Sequence, residues 1–224
     1  TVRSSSGIGV DSTKLTEETL VDTWLVAGVL SPVEDPASPG VIHFLQTTAR
    51  QARRIAGVCT GAFVLAQAGL LEQKRATTHW AHSQSLASRH PTIQLEDDRI
   101  FIIDDTIWTS AGMTAGLDMA LGMVEKDLGA DIARTVAHRL VMNQRRSGGQ
   151  KQHSEMLALA PRSDRLQTAL EYARHNLRKT LTVEILADAV HVSARQLSRL
   201  FRQETGKSPA KAIEGLRLEA ARLM

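Results

Sequence analysis

Between Thr182 and Gly206 the chain can fold in few ways. Thr182 is a good helix N-cap, and Ile185, Leu186 and Ala189 behind it form an apolar face at helical spacing. Ser193 caps a second helix, and Gln196, three residues on, completes a capping box. At about 100° per residue, Leu197, Leu200 and Phe201 point one way while Arg195, Ser198, Arg199 and Arg202 fall together on the other. Gly206 ends this helix, after which Ser208 caps and Pro209 opens another. Two short helices around a tight turn, the second presenting three arginines and a hydroxyl, form the arrangement that reads a DNA major groove. No acidic residue lies on that arc, which sets it apart from an ordinary solvated face.

Charge is divided along the chain. Residues 1–133 hold 10 Lys+Arg against 16 Asp+Glu, a net of −6, whereas residues 134–224 hold 17 against 8, a net of +9. An acidic first part and a basic second part predict two modules, the second meeting a polyanion such as double-stranded DNA. The boundaries read from the sequence are 1–143 for an α/β domain, 144–161 for a polar, glycine-containing linker and 162–224 for a helical domain. A single cysteine excludes an internal disulfide and fits a cytoplasmic setting. No apolar run approaches the ~20 residues of a membrane span, and nothing at the start resembles a signal peptide.

In the first part, short apolar runs alternate with helical patterns. Residues 1–10 read as an edge strand and 14–21 as weakly helical. Strands are expected at Trp24–Gly28, Arg54–Val58 and Ala76–Thr78, with a pair at Ile100–Ile103 and Thr106–Ser110 around Asp104-Asp105. Helices are expected over 41–53, 60–71, 80–89, 114–128 and 131–142, then over 164–179 in the second part. Such alternation predicts a doubly wound α/β sheet, followed by an all-α domain.

Within it, Gly57-Val-Cys-Thr-Gly61 joins a predicted strand to a predicted helix. Flanking glycines permit the sharp turn of a nucleophile elbow, which would expose Cys59 at the carboxyl edge of the sheet, where open α/β sheets bind ligands. Cys59, Thr60, Gly61, His79 and Ser110 are the candidate ligand-binding residues. No acidic group that would orient His79 as a base can be assigned, so no catalytic residue is named. Three readings stay open: a ligand pocket without turnover, a cysteine-dependent hydrolase or amidase, and a dimerisation scaffold with a vestigial pocket. The other seven histidines show no paired metal-ligand spacing, and nothing calls for a cofactor.

Both parts resemble known families. Leu186-Ala187, Ser193-Ala-Arg-Gln-Leu-Ser-Arg-Leu-Phe201, Gly206, Ser208-Pro209 and Arg217-Leu-Glu-Ala-Ala-Arg222 resemble the AraC/XylS transcriptional regulators. Val58-Cys-Thr-Gly-Ala-Phe-Val-Leu-Ala-Gln-Ala-Gly-Leu-Leu71, Ala76-Thr-Thr-His-Trp80 and Thr109-Ser-Ala-Gly-Met-Thr-Ala-Gly-Leu-Asp118 resemble the DJ-1/PfpI superfamily, with its flavodoxin-like, class I glutamine-amidotransferase-like fold. Arg145-Arg-Ser-Gly-Gly-Gln-Lys-Gln152 is similar to the junction in regulators that fuse the two, often called GlxA-type.

The resemblance implies a cytoplasmic, homodimeric regulator whose first domain senses a small metabolite, an amino acid or amine. It implies that Arg195, Ser198 and Arg199 read bases, and Arg202, Lys207 and the Ser193 cap with Gln196 are expected to hold phosphates and set register. Three departures stand out. Thr60 occupies the place where proteolytic relatives carry histidine after the nucleophile, and His191 stands where the family's turn often has glycine. AraC-type domains also hold two helix–turn–helix units, of which this chain carries one, and the first strand of the DJ-1-like fold is not found; both point to a longer protein.

Overall fold

The fold was described from a computed structural model, which covers residues 1–4, 7–14, 16, 19, 21–142, 146–150, 152, 159 and 163–222. Two units divide the chain, Thr1–Gln152 and His153–Met224. In order, the first carries β1 (Val2–Arg3), β2 (Gly9–Val10), β3 (Thr23–Val26), α1 (Pro39–Thr48), β4 (Arg54–Val58), α2 (Gly61–Gln67), β5 (Arg75–Ala76), α3 (Ser83–Arg89), β6 (Gln94–Leu95), β7 (Phe101–Asp104), β8 (Ile107–Ser110), α4 (Met113–Leu128) and α5 (Ala130–Arg139).

The main sheet has the order β3-β4-β8-β7, parallel except for the β7–β8 hairpin. Alternation along β4 explains why both faces are covered. Ile55, with Ile107 opposite it, joins Leu45, Phe63, Leu65 and Leu86 from α1, α2 and α3 in one apolar core. Ala56, with Trp108 opposite it, joins Phe101, Ala115 and Met119 in a second core on the other face, under α4. This is the doubly wound arrangement that the strand–helix alternation predicts.

Differences from the expected elements have identifiable physical causes. The strand expected at 76–78 is Arg75–Ala76, because Thr77 and Thr78 are occupied elsewhere: the Thr77 N–H donates to Thr109 Oγ1 and the Thr78 hydroxyl to the Cys59 carbonyl. Among the described residues of 1–10, the regular structure is the β1–β2 pair, which is separate from the main sheet. α5 stops at Arg139, ahead of Val141 in the left-handed region at φ 54°. Of the helix expected over 14–21, residues 15, 17, 18 and 20 lie outside the described residues and 14, 16, 19 and 21 are not helical; most of the linker at 144–161 also lies outside the described residues.

At the amino end of β4, Arg54 is buried with its guanidinium 5.5 Å from the Trp108 ring centroid. It shares the Asp127 carboxylate with Arg53, which also holds Asp22. Hydrogen bonds from Arg53 and then Arg54 hold the Asp127 carboxyl far below the usual carboxylate range. A carboxyl depressed on folding contributes stability above its unfolded pKa and loses it as pH falls through the folded value. Asp127→Asn should therefore destabilise the protein at neutral pH, with the gap to the unsubstituted chain narrowing below about pH 4. Urea unfolding of both at pH 7 and pH 3 measures that gap.

The second unit carries α6 (Asp164–His175), α7 (Val183–Ala189), α8 (Ala194–Thr205) and α9 (Pro209–Arg222). Leu166, Leu170, Leu186, Leu197, Phe201 and Ile213 form its core together with Leu159, which precedes the first helix. α6 ends at His175, earlier than its apolar pattern suggests. Arg217 on α9 donates to the Leu177 and Lys179 carbonyls and so satisfies the chain after the helix in non-helical form. No helix among the described residues is long and apolar enough to cross a membrane.

Candidate effector site and nucleic-acid interface

The helix–turn–helix is built by its caps. The Thr182 hydroxyl accepts the Ile185 N–H at the start of α7. In α8 the Ser193 hydroxyl accepts the Gln196 N–H at 3.2 Å while Gln196 Oε1 accepts the Ser193 N–H at 3.0 Å, a complete capping box. Between the helices His191 lies at φ 54°, the left-handed conformation that glycine adopts more easily and that costs another residue about 1–2 kcal/mol. Gly206 closes α8 at φ 70°, its N–H returning to the Arg202 carbonyl.

Leu197 and Phe201 are fully buried, which turns the opposite face of α8 outward. Ser193, Arg195, Gln196, Ser198, Arg199, Arg202 and Gln203 line one open concavity of about 840 Å³. Arg195, Arg199 and Arg202 are exposed, and their side chains make no ion pair or hydrogen bond among the described residues. Ser198 is half-buried between them. The Ser193 hydroxyl and Gln196 Oε1 are engaged in the capping box. Lys207 lies beyond Gly206, its N–H donating to Thr205 Oγ1, and it does not line the concavity. Gln203 does, and was missed from the sequence. It follows Arg199 by four residues, so helical arithmetic would have found it, but attention to charge passed over a neutral amide.

In the α/β unit, Cys59 follows β4 at φ 57°, in the left-handed region expected of an elbow. Its N–H donates to the Ser110 carbonyl at 2.8 Å, tying the carboxyl ends of β4 and β8 together. The Thr78 hydroxyl donates to the Cys59 carbonyl at 3.0 Å and so sets His79 beside the elbow. The His79 ring accepts the Ala81 N–H and lies 5.6 Å from the Trp80 ring, centroid to centroid. A side chain on Gly112, just past β8, would stand 3.6 Å from the same imidazole. Cys59, His79 and Ser110 thus converge on one sheet edge. Ser110 Oγ is buried there with no hydrogen-bond partner among the described residues.

Thr60 and Gly61 have supporting roles. The buried Thr60 hydroxyl accepts the Val29 N–H at 2.9 Å and donates to the Val29 carbonyl at 2.6 Å, fastening the loop after β3 to the elbow. Gly61 opens α2 directly beneath β3, where an added Cβ would stand 2.3 Å from the Val26 carbonyl oxygen. Gly61→Ala should cost about 1–3 kcal/mol through this overlap. Gly40→Ala, on the open first turn of α1, should be neutral or slightly stabilising. Paired urea melts distinguish the two.

With the geometry in view, comparison with known proteins decides the family. Residues 2–126 match the DJ-1/PfpI family. The chain belongs to that family. Residues 186–224 match a helix–turn–helix domain. Among curated proteins this DJ-1/PfpI chain is 32% identical over 182 residues to the HTH-type transcriptional regulator GbdR of Pseudomonas aeruginosa, covering 81% of the chain and 49% of GbdR. It is 32% identical over 231 residues to the HTH-type transcriptional regulator GlxA of Rhizobium meliloti, covering 99% of the chain and 69% of GlxA. The isonitrile hydratase of Pseudomonas putida is 38% identical over 145 residues, covering 62% of the chain and 60% of that enzyme. The crystal structure of an AraC family transcriptional regulator from Pseudomonas putida superposes with a TM-score of 0.55 at 24% identity, over 62% of this chain and 75% of the other; that likeness concerns the fold alone. Against the first of these relatives the chain spans about half of the whole protein.

Proposed function

We propose that this chain is part of a cytoplasmic, homodimeric AraC-type transcriptional regulator that binds double-stranded DNA through α8 and answers to a small metabolite at the Cys59–His79–Ser110 edge. The observation that carries the reading is the concave face of α8, where three exposed arginines surround the Ser198 hydroxyl, which has no hydrogen-bond partner among the described residues. Guanidinium groups with no ion pair among the described residues, on a helix capped at both ends, suit the bidentate pattern of guanine O6 and N7. Arg195 and Arg199 are the base-reading residues, with Ser198 adding a weaker contact. Arg202 and Lys207 hold phosphates, and Ser193 with Gln196 keeps the end of α8 in register against the backbone. The similarity to the curated regulators GbdR and GlxA supports the same reading.

The metabolite site is supported by the position of Cys59, His79 and Ser110 at carboxyl ends of parallel strands, where open α/β sheets bind ligands. The buried, unpartnered Ser110 hydroxyl supplies a polar group for a ligand or water to satisfy. An amino acid or amine is the ligand class this reading carries.

Selection from random duplex DNA at two salt concentrations provides the test. The unsubstituted chain should enrich one motif. Arg195→Ala and Arg199→Ala should each lose about 1–3 kcal/mol on that motif and relax the base they read. Lys207→Ala should weaken all sequences alike and flatten the salt dependence. Equal, salt-labile binding by every variant would sink the reading.

A second reading rests on the elbow. Cys59 in the left-handed region at the sheet edge, in a chain similar to an isonitrile hydratase, is a geometry that also serves a nucleophile. Turnover of an amide or nitrile-like substrate, abolished in Cys59→Ser, would establish it.

A further inference from the structure

The stretch after α5 looks like a linker in sequence, yet from Arg146 it is fastened to the α/β unit. The Arg146 N–H and guanidinium both reach the buried carboxylate of Asp118, at 2.9 and 2.8 Å. The Ile100 N–H donates to the Gln150 carbonyl at 3.0 Å. A Cβ on Gly148 would stand 2.5 Å from the Phe101 carbonyl oxygen, so the chain lies flush there.

Gln152 ends the stretch. Its N–H donates to Asp98 Oδ1 at 2.9 Å. Its Nε2 donates to the Thr78 carbonyl at 2.9 Å and the Asp97 carbonyl at 2.7 Å, while Oε1 accepts the Trp80 N–H at 2.9 Å. One carboxamide therefore holds the peptide on both sides of His79. Its orientation is fixed by chemistry, since turning it over would set an oxygen against two carbonyl oxygens and an NH2 against an N–H. The Thr78 hydroxyl in turn reaches the Cys59 carbonyl. Two residues' hydrogen bonds thus connect the elbow to the last residue of the α/β unit, and Leu159, seven residues later, is already in the helical core.

We infer that Gln152 is a positioning residue that couples the Cys59–His79–Ser110 site to the helix–turn–helix, a step that rests on the effector-site reading above. Gln152 holds His79 in place. A ligand that fits the site better with Thr78–Trp80 displaced opens the carboxamide clamp and releases Gln152, the last residue of the α/β unit. The energetic requirement is differential affinity for the clamped and open arrangements. Joining two units needs no particular side chain, whereas this clamp needs both an amide NH2 and an amide oxygen at one position.

The test uses the full chain with iodoacetamide as the probe of Cys59, the only cysteine. Hydrogen–deuterium exchange is read at the Trp80 and Gln152 amides, and affinity at the motif recovered from random DNA. Alkylation should speed exchange at both amides by about tenfold or more, as local opening does, and should change motif affinity severalfold. Gln152→Glu places oxygen against the Thr78 and Asp97 carbonyls, so its exchange should be fast beforehand and its affinity indifferent to alkylation. Gln152→Ala should behave likewise without a new charge, and decides the matter if the glutamate variant does not fold. Cys59→Ser under iodoacetamide should show no change. Unchanged exchange after alkylation overturns the clamp; faster exchange with unaltered affinity, or variants that respond as the unsubstituted chain does, overturns the coupling. Failure to recover any motif would defeat the regulator reading, while the exchange measurement still decides whether Cys59 controls the clamp.

Discussion

Between the Val26 carbonyl and the α-carbon of Gly61 there is no room for a side chain, and the α/β unit depends on that closeness. It lets α2 begin directly beneath β3, so the chain leaving β4 must turn within Cys59 and Thr60. Cys59 is consequently held in the left-handed region, and its N–H is sent to the end of β8. The Thr60 hydroxyl then closes the loop after β3 onto the turn. Histidine at position 60 would forfeit this pair of bonds, so the threonine that departs from the proteolytic pattern has a structural role of its own. The sheet edge where Cys59, His79 and Ser110 meet is a consequence of one crowded contact.

The helical unit rests on a different principle. Its helices are short, and seven- or twelve-residue helices are marginal alone. Caps at Thr182, Ser193 and Gly206, with Leu197 and Phe201 buried beneath, fix where α8 starts, stops and faces. The arginines contribute nothing visible to this packing. Their positive charge is left exposed on a concave face with no ion pair among the described residues, a mildly repulsive arrangement in water and a favourable one beside a polyanion.

The junction shows how composition misleads. Glycine, arginine and glutamine in succession read as a solvated linker, yet Gly148 is small because Phe101 lies against it, and Arg146 is charged because Asp118 is buried opposite. Polar side chains satisfying main-chain groups leave no hydrophobic period, and period is what sequence reading detects. The same blindness hid Gln203, a neutral residue on a face picked out by its charge.

Sequence alone determined the parts governed by local rules. The caps at Thr182 and Ser193, the left-handed stop at Gly206, the strained turn at His191, the span of β4 and the β7–β8 hairpin all follow from backbone preferences within a few residues. The outward arc of Arg195, Ser198, Arg199 and Arg202 follows from helical geometry. Tertiary structure decided whatever depends on partners distant in sequence. It truncated β5 by engaging Thr77 and Thr78 elsewhere, and ended α6 early by supplying Arg217. It also gave Thr60 to Val29 and fastened Gln152 around His79. Those hydrogen bonds join residues 19 to 74 positions apart, and no local pattern records a partner that far away.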